Sequence, residues 1–284
     1  MMSTMVRLPP RFSFRSRVSS LVSRHSSLSF TLIELLVVMG IISLLIVLLR
    51  PAFTSLKAAG DITTAADTVA GTLAGARTYA MSYNTYTWVG FYEESATANA
   101  PTSKSPPYLG KGRLLIAAVR SLDGTSIFDS GDPSGALPVA RVAQIGKLTK
   151  IENVHLTDIG APPLPTPGPS PLPNSLDARS DLPYSYAAAI NADHFNRISS
   201  DSSDATQFWF VAQGYTFYKT VRFNPRGEAN LNSTYSLKVA AEVGLVATHG
   251  EAAPTPPTSG RRYSGNVAAI QFSGVGGNFK VYRQ

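Results

Sequence analysis

The sequence contains no cysteine, which excludes a disulfide scaffold, a thiolate zinc site and a cysteine nucleophile. Charged residues are also scarce, at 15% of the 284 residues, whereas 44% are hydrophobic. A solvated disordered chain or a nucleic-acid-coating protein has the opposite balance. The composition therefore predicts a packed core, and the length suits one domain of ordinary size or two small ones.

Acidic residues are absent from residues 1–29, which contain Arg7, Arg11, Arg15, Arg17 and Arg24. The whole chain has 25 basic and 18 acidic residues, and its net charge is +7. Without those five arginines, 20 basic residues remain against 18 acidic ones, so the rest of the chain carries +2. The basic excess belongs to the N-terminal segment, and we expect no nucleic acid as a partner of the body.

A run of twenty residues, 30–49, contains a single charged residue, Glu34, and is followed by Arg50 and Pro51. At about 1.5 Å per residue it forms about 30 Å of helix, which is enough to cross a bilayer. A removable secretory signal has a shorter apolar region of about 7–15 residues, with a small-residue cleavage site close behind it. The run therefore predicts a single membrane span that an ordinary signal peptidase leaves in place.

Positive charges predict the orientation of this span. Five arginines precede it, whereas Arg50 and Lys57 are the basic residues that closely follow it. Because the more positive flank stays in the cytoplasm, we expect the N-terminus there and the body on the extracytoplasmic side.

Glu34 is the exception within the apolar run. An ionised carboxylate inside a membrane helix is unfavourable unless it is paired, so such a residue marks function by default. Glu34 lies only about 6 Å from the start of the run, however, and its carboxylate could instead reach the headgroups. The charge alone leaves both interpretations open.

Residues 29–38, SFTLIELLVV, resemble the cleavage and methylation motif of type IV prepilins and type II secretion pseudopilins. The resemblance implies that a prepilin peptidase cuts between Ser29 and Phe30, removes residues 1–29 as a leader, and leaves an amine on Phe30 that is methylated. It also implies that Glu34 acts in subunit assembly. The family usually has Gly immediately before the cut, whereas this chain has Ser29.

The same resemblance implies a function and partners. The chain is expected to be a subunit, not an enzyme, that assembles through its first helix into a pilus or a type II secretion-like pseudopilus. Its partners are other pilin or pseudopilin subunits, the prepilin peptidase and methyltransferase, and the inner membrane, with the body in the periplasm. The new amine can approach Glu34 of a neighbouring subunit, and such a pair would set the axial offset between subunits. No cofactor is expected.

Beyond residues 30–50, helical spacing continues and predicts that residues 51–83 extend the same helix. Pro51 is expected to kink it, because proline has no N–H to donate. Apolar residues recur at every third or fourth position: Phe53, Leu56, Ala59, Ile62, Ala66, Val69, Leu73, Ala76 and Ala80. We expect the C-terminal half of this stripe to pack on the protein's own sheet.

Residues 84–284 change to β-rich patterning. Apolar and aromatic runs predict strands at 86–92, 114–119, 208–211, 215–223 and 237–246, and a hairpin formed by 267–272 and 278–282. The proline-rich segment 161–173 is expected to be a surface loop within one domain, in preference to a boundary between two subdomains. A long helix followed by many strands predicts an α+β, pilin-like fold in which the helix packs on a mainly antiparallel sheet.

Two further segments, residues 60–90 and 223–229, resemble the Verru_Chthon cassette protein D group, which is itself of pseudopilin type. A looser similarity to minor pseudopilins of the H type rests on the order of helix and strands and on the F-x-P-x-G turn at residues 223–227. The specific motifs cover only the N-terminal third of the chain.

A search for an active site finds no catalytic or metal motif. His155, His194 and His249 lack the spacing of such motifs, and no Walker or G-x-S-x-G sequence occurs. Asp129 and Asp132 lie on a glycine-rich loop and are a weak calcium candidate, because the EF-hand spacing and its terminal glutamate are missing. A solvated turn is the favoured interpretation of that loop.

Two rival functions stay open at this stage. An uncleaved, signal-anchored binding protein or enzyme would need a catalytic or binding constellation within residues 84–284. A minor pilin that binds DNA or a surface ligand would need an exposed basic or aromatic groove, and Arg261, Arg262 and Tyr263 form only a minimal patch of that kind.

Overall fold

The computed structural model describes residues 31–97, 110–127, 135–159, 174–179, 197–200, 208–231, 240–252, 266–274 and 276–283. The proline-rich segment 161–173 lies outside these residues, so its conformation stays a prediction. The chain divides into two units, residues 1–49 and residues 50–284.

One helix, α1, spans Leu32–Ser82, so the predicted long N-terminal helix is present. Leucine, isoleucine and valine dominate its first part, and alanine, the best helix former, is frequent in its second part. Pro51 lies within α1, next to the division between the two units. The bend expected at Pro51 stays a prediction.

Twelve strands lie in the described part of the chain: β1 (Thr87–Ser95), β2 (Gly112–Ser121), β3 (Val142–Glu152), β4 (Val154–Leu156), β5 (Arg197–Ile198), β6 (Phe210–Ala212), β7 (Tyr215–Phe217), β8 (Lys219–Phe223), β9 (Ala229–Asn230), β10 (Ala240–Ala247), β11 (Val267–Ser273) and β12 (Phe279–Arg283). Two short 3-10 turns, Val139–Arg141 and Leu176–Ala178, precede β3 and β5. The predicted C-terminal hairpin is confirmed, because β11 and β12 pair antiparallel.

The strands form two five-stranded sheets and one separate hairpin. The first sheet has the order β3-β2-β1-β8-β9, and every pair in it is antiparallel. The second has the antiparallel order β12-β11-β10-β4, and β5 adds to β10 in parallel. Strands β6 and β7 form the hairpin. The predicted α+β fold with mainly antiparallel sheets is therefore confirmed.

The second half of α1 packs on both sheets within the second unit. Its buried apolar positions are Ala58, Ile62, Ala65, Ala66, Val69, Leu73, Ala76 and Ala80. They belong to one core with residues of the first sheet, such as Val89, and of the second, such as Ile270. The small alanine side chains let the helix axis approach the sheets closely. The expectation that the stripe packs on the protein's own sheet is confirmed from Ile62 onward.

The start of the stripe was assigned to the wrong helix face. Leu56 is 74% exposed and Ala59 is exposed as well, whereas Ala58 is buried. From Ile62 the buried face continues backward by a step of four residues to Ala58. Leu56 and Ala59 therefore fall on another side of the helix. A spacing of three or four residues is compatible with either helix face, and only contact with the sheet determines which face is buried.

The hairpin of β6 and β7 covers the opposite face of the first sheet. Phe210 and Phe217 stack with ring centroids 5.1 Å apart, and they share a second core with the fully buried Trp88. Gly90 on β1 leaves room for this contact, because a Cβ there would lie 2.5 Å from Cβ of Phe217. Both faces of β1 are thus buried, although a strand buried on both faces is more typical of parallel sheets.

Two turns from different sheets meet beside the end of α1. The guanidinium Nε of Arg77 donates to the carbonyl oxygen of Gly227 at 3.1 Å, and Gly227 has φ +80°. Gly277 has φ +58° and packs against this carbonyl group: a Cβ on Gly277 would lie 2.1 Å from the carbonyl oxygen of Gly227. Glycine is required at Gly277 for its backbone conformation and for this contact.

We predict that Gly277→Ala destabilises the body more than Gly250→Ala. The two glycines have nearly the same φ, +58° and +60°, so the backbone strain of about 1–2 kcal/mol is common to both variants. A Cβ at Gly250 meets open space, whereas one at Gly277 meets the Gly227 carbonyl. Forcing this contact apart adds about 1–3 kcal/mol. Urea unfolding of the full chain in detergent, followed by tryptophan fluorescence, measures the difference, and equal losses would contradict it.

Candidate functional site

The long helix begins with a hydrogen-bonded cap made by two residues of the N-terminal motif. Thr31 lies immediately before the first residue of α1. Its backbone N–H and its hydroxyl donate to Oε2 of Glu34 at 2.8 and 2.9 Å, and the backbone N–H of Glu34 donates to the Thr31 hydroxyl at 3.3 Å. This reciprocal arrangement is a capping box, and it satisfies N–H groups that the first turn leaves unpaired.

The cap gives the carboxylate of Glu34 a defined position at the start of the helix. Both Thr31 donors reach Oε2, and among the residues that the structure describes Oε1 accepts no hydrogen bond. A negative charge in the first turn also interacts favourably with the helix dipole. The two oxygens of Glu34 therefore differ: Oε2 accepts both Thr31 hydrogen bonds, whereas Oε1 accepts none from the described residues.

An exposed apolar surface follows this charge. Leu32–Leu49 is long and apolar enough to cross a membrane, and none of it is buried within the chain. Ser43 is a polar residue in this stretch, and its hydroxyl donates to the carbonyl of Met39 at 2.7 Å, one turn earlier. In a lipid environment, polar groups must find their hydrogen-bond partners within the protein, as Ser43 does. The segment fits a membrane anchor of the kind typical of pilins.

Residues 24–49 match the family model described as the prokaryotic N-terminal methylation motif. The chain thus combines a prepilin-type N-terminal segment with an α+β body. The motif supports the type IV prepilin and pseudopilin family, whose members are generally non-enzymatic structural subunits. No significant match to the chain was found among curated proteins or solved structures. Membership in the Verru_Chthon cassette protein D group stays a prediction.

The other predicted site residues have different outcomes. Ser29 and Phe30, the predicted cleavage and methylation residues, lie outside the described residues, and so do Asp129 and Asp132 of the calcium candidate. These assignments stay predictions. Within the described ranges, no group of three or more His, Cys, Asp or Glu side chains is placed to hold a metal ion.

The histidines that sequence patterns left unassigned occupy two different settings. His155 lies on β4 and is buried, 6% exposed, with Nδ1 3.1 Å from Oε1 of Glu93. His249 is exposed after β10 and forms a backbone bridge with Ala252. His194 lies outside the described residues. His155 is therefore a buried histidine that lies close to a carboxylate, and not a surface group.

Buried ion pairs are the polar groups that the sequence patterns missed. Arg113 pairs with Glu94 at 2.8 Å, and Arg179 pairs with Glu242 at 2.6 Å. All four belong to strands of the body or to the short turn before β5, and both carboxylates are almost fully buried. Buried charges persist only when they are paired and hydrogen-bonded. These pairs hold strands and turns together and form no open site.

The capping role of Thr31 also went unrecognised, although a sequence signal for it exists. Thr31 and Glu34 form the pattern Thr-x-x-Glu directly before an apolar run, which is the signature of a capping box. The charge of Glu34 suggests an assembly role, and the pattern adds a second, local role as a helix cap. Both functions are compatible, because the cap uses Oε2 alone.

We predict that Thr31→Val loosens the first turn of α1, whereas Thr31→Ser leaves it intact. Valine keeps the shape of threonine but removes the hydroxyl that accepts from the Glu34 N–H. Amide exchange at Glu34 and Leu35 should accelerate about fivefold, the usual effect of losing an N-cap side chain. NMR of the full chain in detergent micelles measures this rate. Equal exchange in the valine and serine variants would show that the hydroxyl does not cap the helix.

Proposed function

We propose that this protein is a prepilin-like subunit, cleaved before Phe30 and methylated on its new amine, which assembles through α1 into a pilus or a type II secretion-like pseudopilus. One observation carries the proposal: a single carboxylate, Glu34, is held at the start of an uncovered apolar helix inside a matched methylation motif. The motif implies pilin subunits and a prepilin peptidase as partners in general.

The geometry of the cap supports an assembly role for Glu34. Cleavage before Phe30 creates a positive amine one residue ahead of Thr31. In a bundle of such helices, an unpaired carboxylate surrounded by apolar side chains is strongly unfavourable, and the amine of a neighbouring subunit relieves it. Oε1 of Glu34 is available for this contact while Oε2 keeps the helix capped. The pair sets the axial offset between subunits.

The charge distribution supports the orientation in the membrane. The leader, residues 1–29, carries five arginines and no acidic residue, so it stays in the cytoplasm, where the peptidase cuts. The body then lies on the periplasmic side of the inner membrane, joined to the anchor by the same helix. The described body presents packed sheets and buried ion pairs, which suits a structural subunit.

We predict that the mature chain starts at Phe30 and that Ser29→Gly is processed at least as completely as the native leader. Glycine restores the residue that the family usually has before the cut, and the peptidase recognises the motif on the cytoplasmic side. Intact mass and N-terminal analysis of protein from membranes with active prepilin peptidase measure the outcome. Recovery of a stable chain that still begins at Met1 or Met2 would refute the cleavage step.

We predict that Glu34→Leu abolishes assembly while membrane insertion stays intact or improves. The substitution removes one charge from the apolar segment, which favours insertion, but it leaves the amine of a neighbouring subunit without a partner. Chemical crosslinking in membranes that contain the assembly machinery should show multimer ladders for the wild type and their loss in the variant.

Ser43→Leu is the matched control for this experiment. It also removes a polar side chain from the exposed apolar helix, but Ser43 bonds only within its own turn, so the multimer ladders should persist. If Glu34→Leu gives undiminished ladders, Glu34 has no role in assembly. A signal-anchored extracytoplasmic protein would then be the better interpretation.

A further inference from the structure

Three buried ionisable side chains meet in the core of the body. Glu93 on β1, Lys219 on β8 and His155 on β4 are 4%, 8% and 6% exposed. Lys219 Nζ lies 3.0 Å from Oε2 of Glu93, and Nδ1 of His155 lies 3.1 Å from Oε1 of the same carboxylate. Lys219 also donates to the carbonyl oxygen of Ser199. One carboxylate thus lies close to two nitrogen groups, one at each of its oxygens: Lys219 donates a hydrogen bond to it, whereas His155 makes a close approach that is not a hydrogen bond.

The cluster connects the first sheet to two short strands of the second sheet. Glu93 and Lys219 belong to neighbouring strands at the centre of the first sheet, whereas His155 lies on β4, a three-residue edge strand of the second sheet. Ser199 follows β5, which has two residues and pairs only with β10 in the described chain. Val154 and Leu156, on either side of His155, are fully buried in the main core, so the cluster adds to the packing that holds β4.

The charges balance only while His155 is neutral. While the imidazole is neutral, the ammonium of Lys219 balances the single negative charge of Glu93. Burial, together with the positive charges of Lys219 and Lys111, lowers the pKa of His155 to about 4. Protonation of the closed cluster would place two cations beside one carboxylate in a site that excludes water.

The strand paired with β4 is apolar at the position of His155. Strand β10 places Val246 opposite His155 in the antiparallel pair. On the side of α1, Asp61 accepts from the side-chain amide of Asn153 at 3.3 Å, just before β4 begins. The direct negative neighbour of the imidazole is therefore Glu93, and Lys219 already shares it.

We infer that Glu93, His155 and Lys219 form an acid-sensitive latch, which holds β4 and residues 197–200 against the first sheet while His155 is neutral and releases them when it is protonated. The inference is independent of filament assembly. An extracytoplasmic body meets the pH of its surroundings directly, so the latch would loosen this part of the body in acid.

The direction and size of the effect follow from proton linkage. An opened His155 has an ordinary pKa near 6.5, whereas the closed form has a lower one, so the open form binds the proton first. The latch is closed above pH 6.5, weakens as the pH falls below that value, and reaches a plateau near pH 4. Between about pH 7.5 and about pH 5, the opening equilibrium should shift by about 30-fold.

Hydrogen exchange of the full chain in detergent micelles tests the latch. After correction for intrinsic exchange, amides of Val154–Leu156 and of residues 197–200 should lose about 30-fold in protection between those pH values. Amides of β11, which lies in the same sheet as β4, should change less than threefold. A uniform loss across both sheets would indicate general acid unfolding and would overturn the inference.

Two variants separate the latch from other acid effects. His155→Gln keeps a polar side chain beside Glu93 but takes up no proton, so protection of β4 should become independent of pH over this range. Lys219→Met removes one neighbouring cation, so a protonated His155 can balance Glu93 and the acid-induced loss of protection should shrink. If His155→Gln fails to fold, NMR titration of His155 in the wild type replaces it, and a midpoint near 6.5 without change in β4 would overturn the latch.

Discussion

The architecture depends on one constraint: the apolar first part of α1 is not buried by the described residues of its own chain. Leu32–Leu49 exposes large aliphatic side chains, and such a surface is stable only in lipid or against other helices. In lipid every backbone polar group needs an internal partner. The capping box of Thr31 and Glu34, and the bond from Ser43 to Met39, meet that requirement at the start and in the middle of the segment.

The same helix is also the central element of the body. From Ala58 to Ala80 it turns a face of mostly small side chains toward both sheets, so the anchor and the core of the body are one continuous element. Arg77 donates to the turn at Gly227 in the first sheet, and this turn contacts Gly277 in the second sheet. These contacts attach both sheets to the end of the helix.

Ionic contacts inside the body follow the two-residue period of a strand. Glu93 and Glu94 are adjacent on β1 and point to opposite faces, where they find different partners. Glu93 meets Lys219 and His155, whereas Glu94 meets Arg113 and accepts from the hydroxyl of Tyr215 at 3.0 Å. Removing one partner from such a pair would leave a buried charge, so these contacts select one arrangement of strands.

The sequence by itself determined the features that depend on local pattern: the motif, the apolar span, the long helix, the α+β class and the C-terminal hairpin. The tertiary structure alone decided the features that depend on distant partners. Strand β3, residues 142–152, escaped prediction because an edge strand exposes mixed side chains and shows no apolar alternation. Leu56 was placed on the wrong face, and the run 215–223 divides at Tyr218 because its halves pair with different strands. No local pattern marks Glu93 as a buried charge, since only the fold brings Lys219 and His155 to it and makes its burial stable.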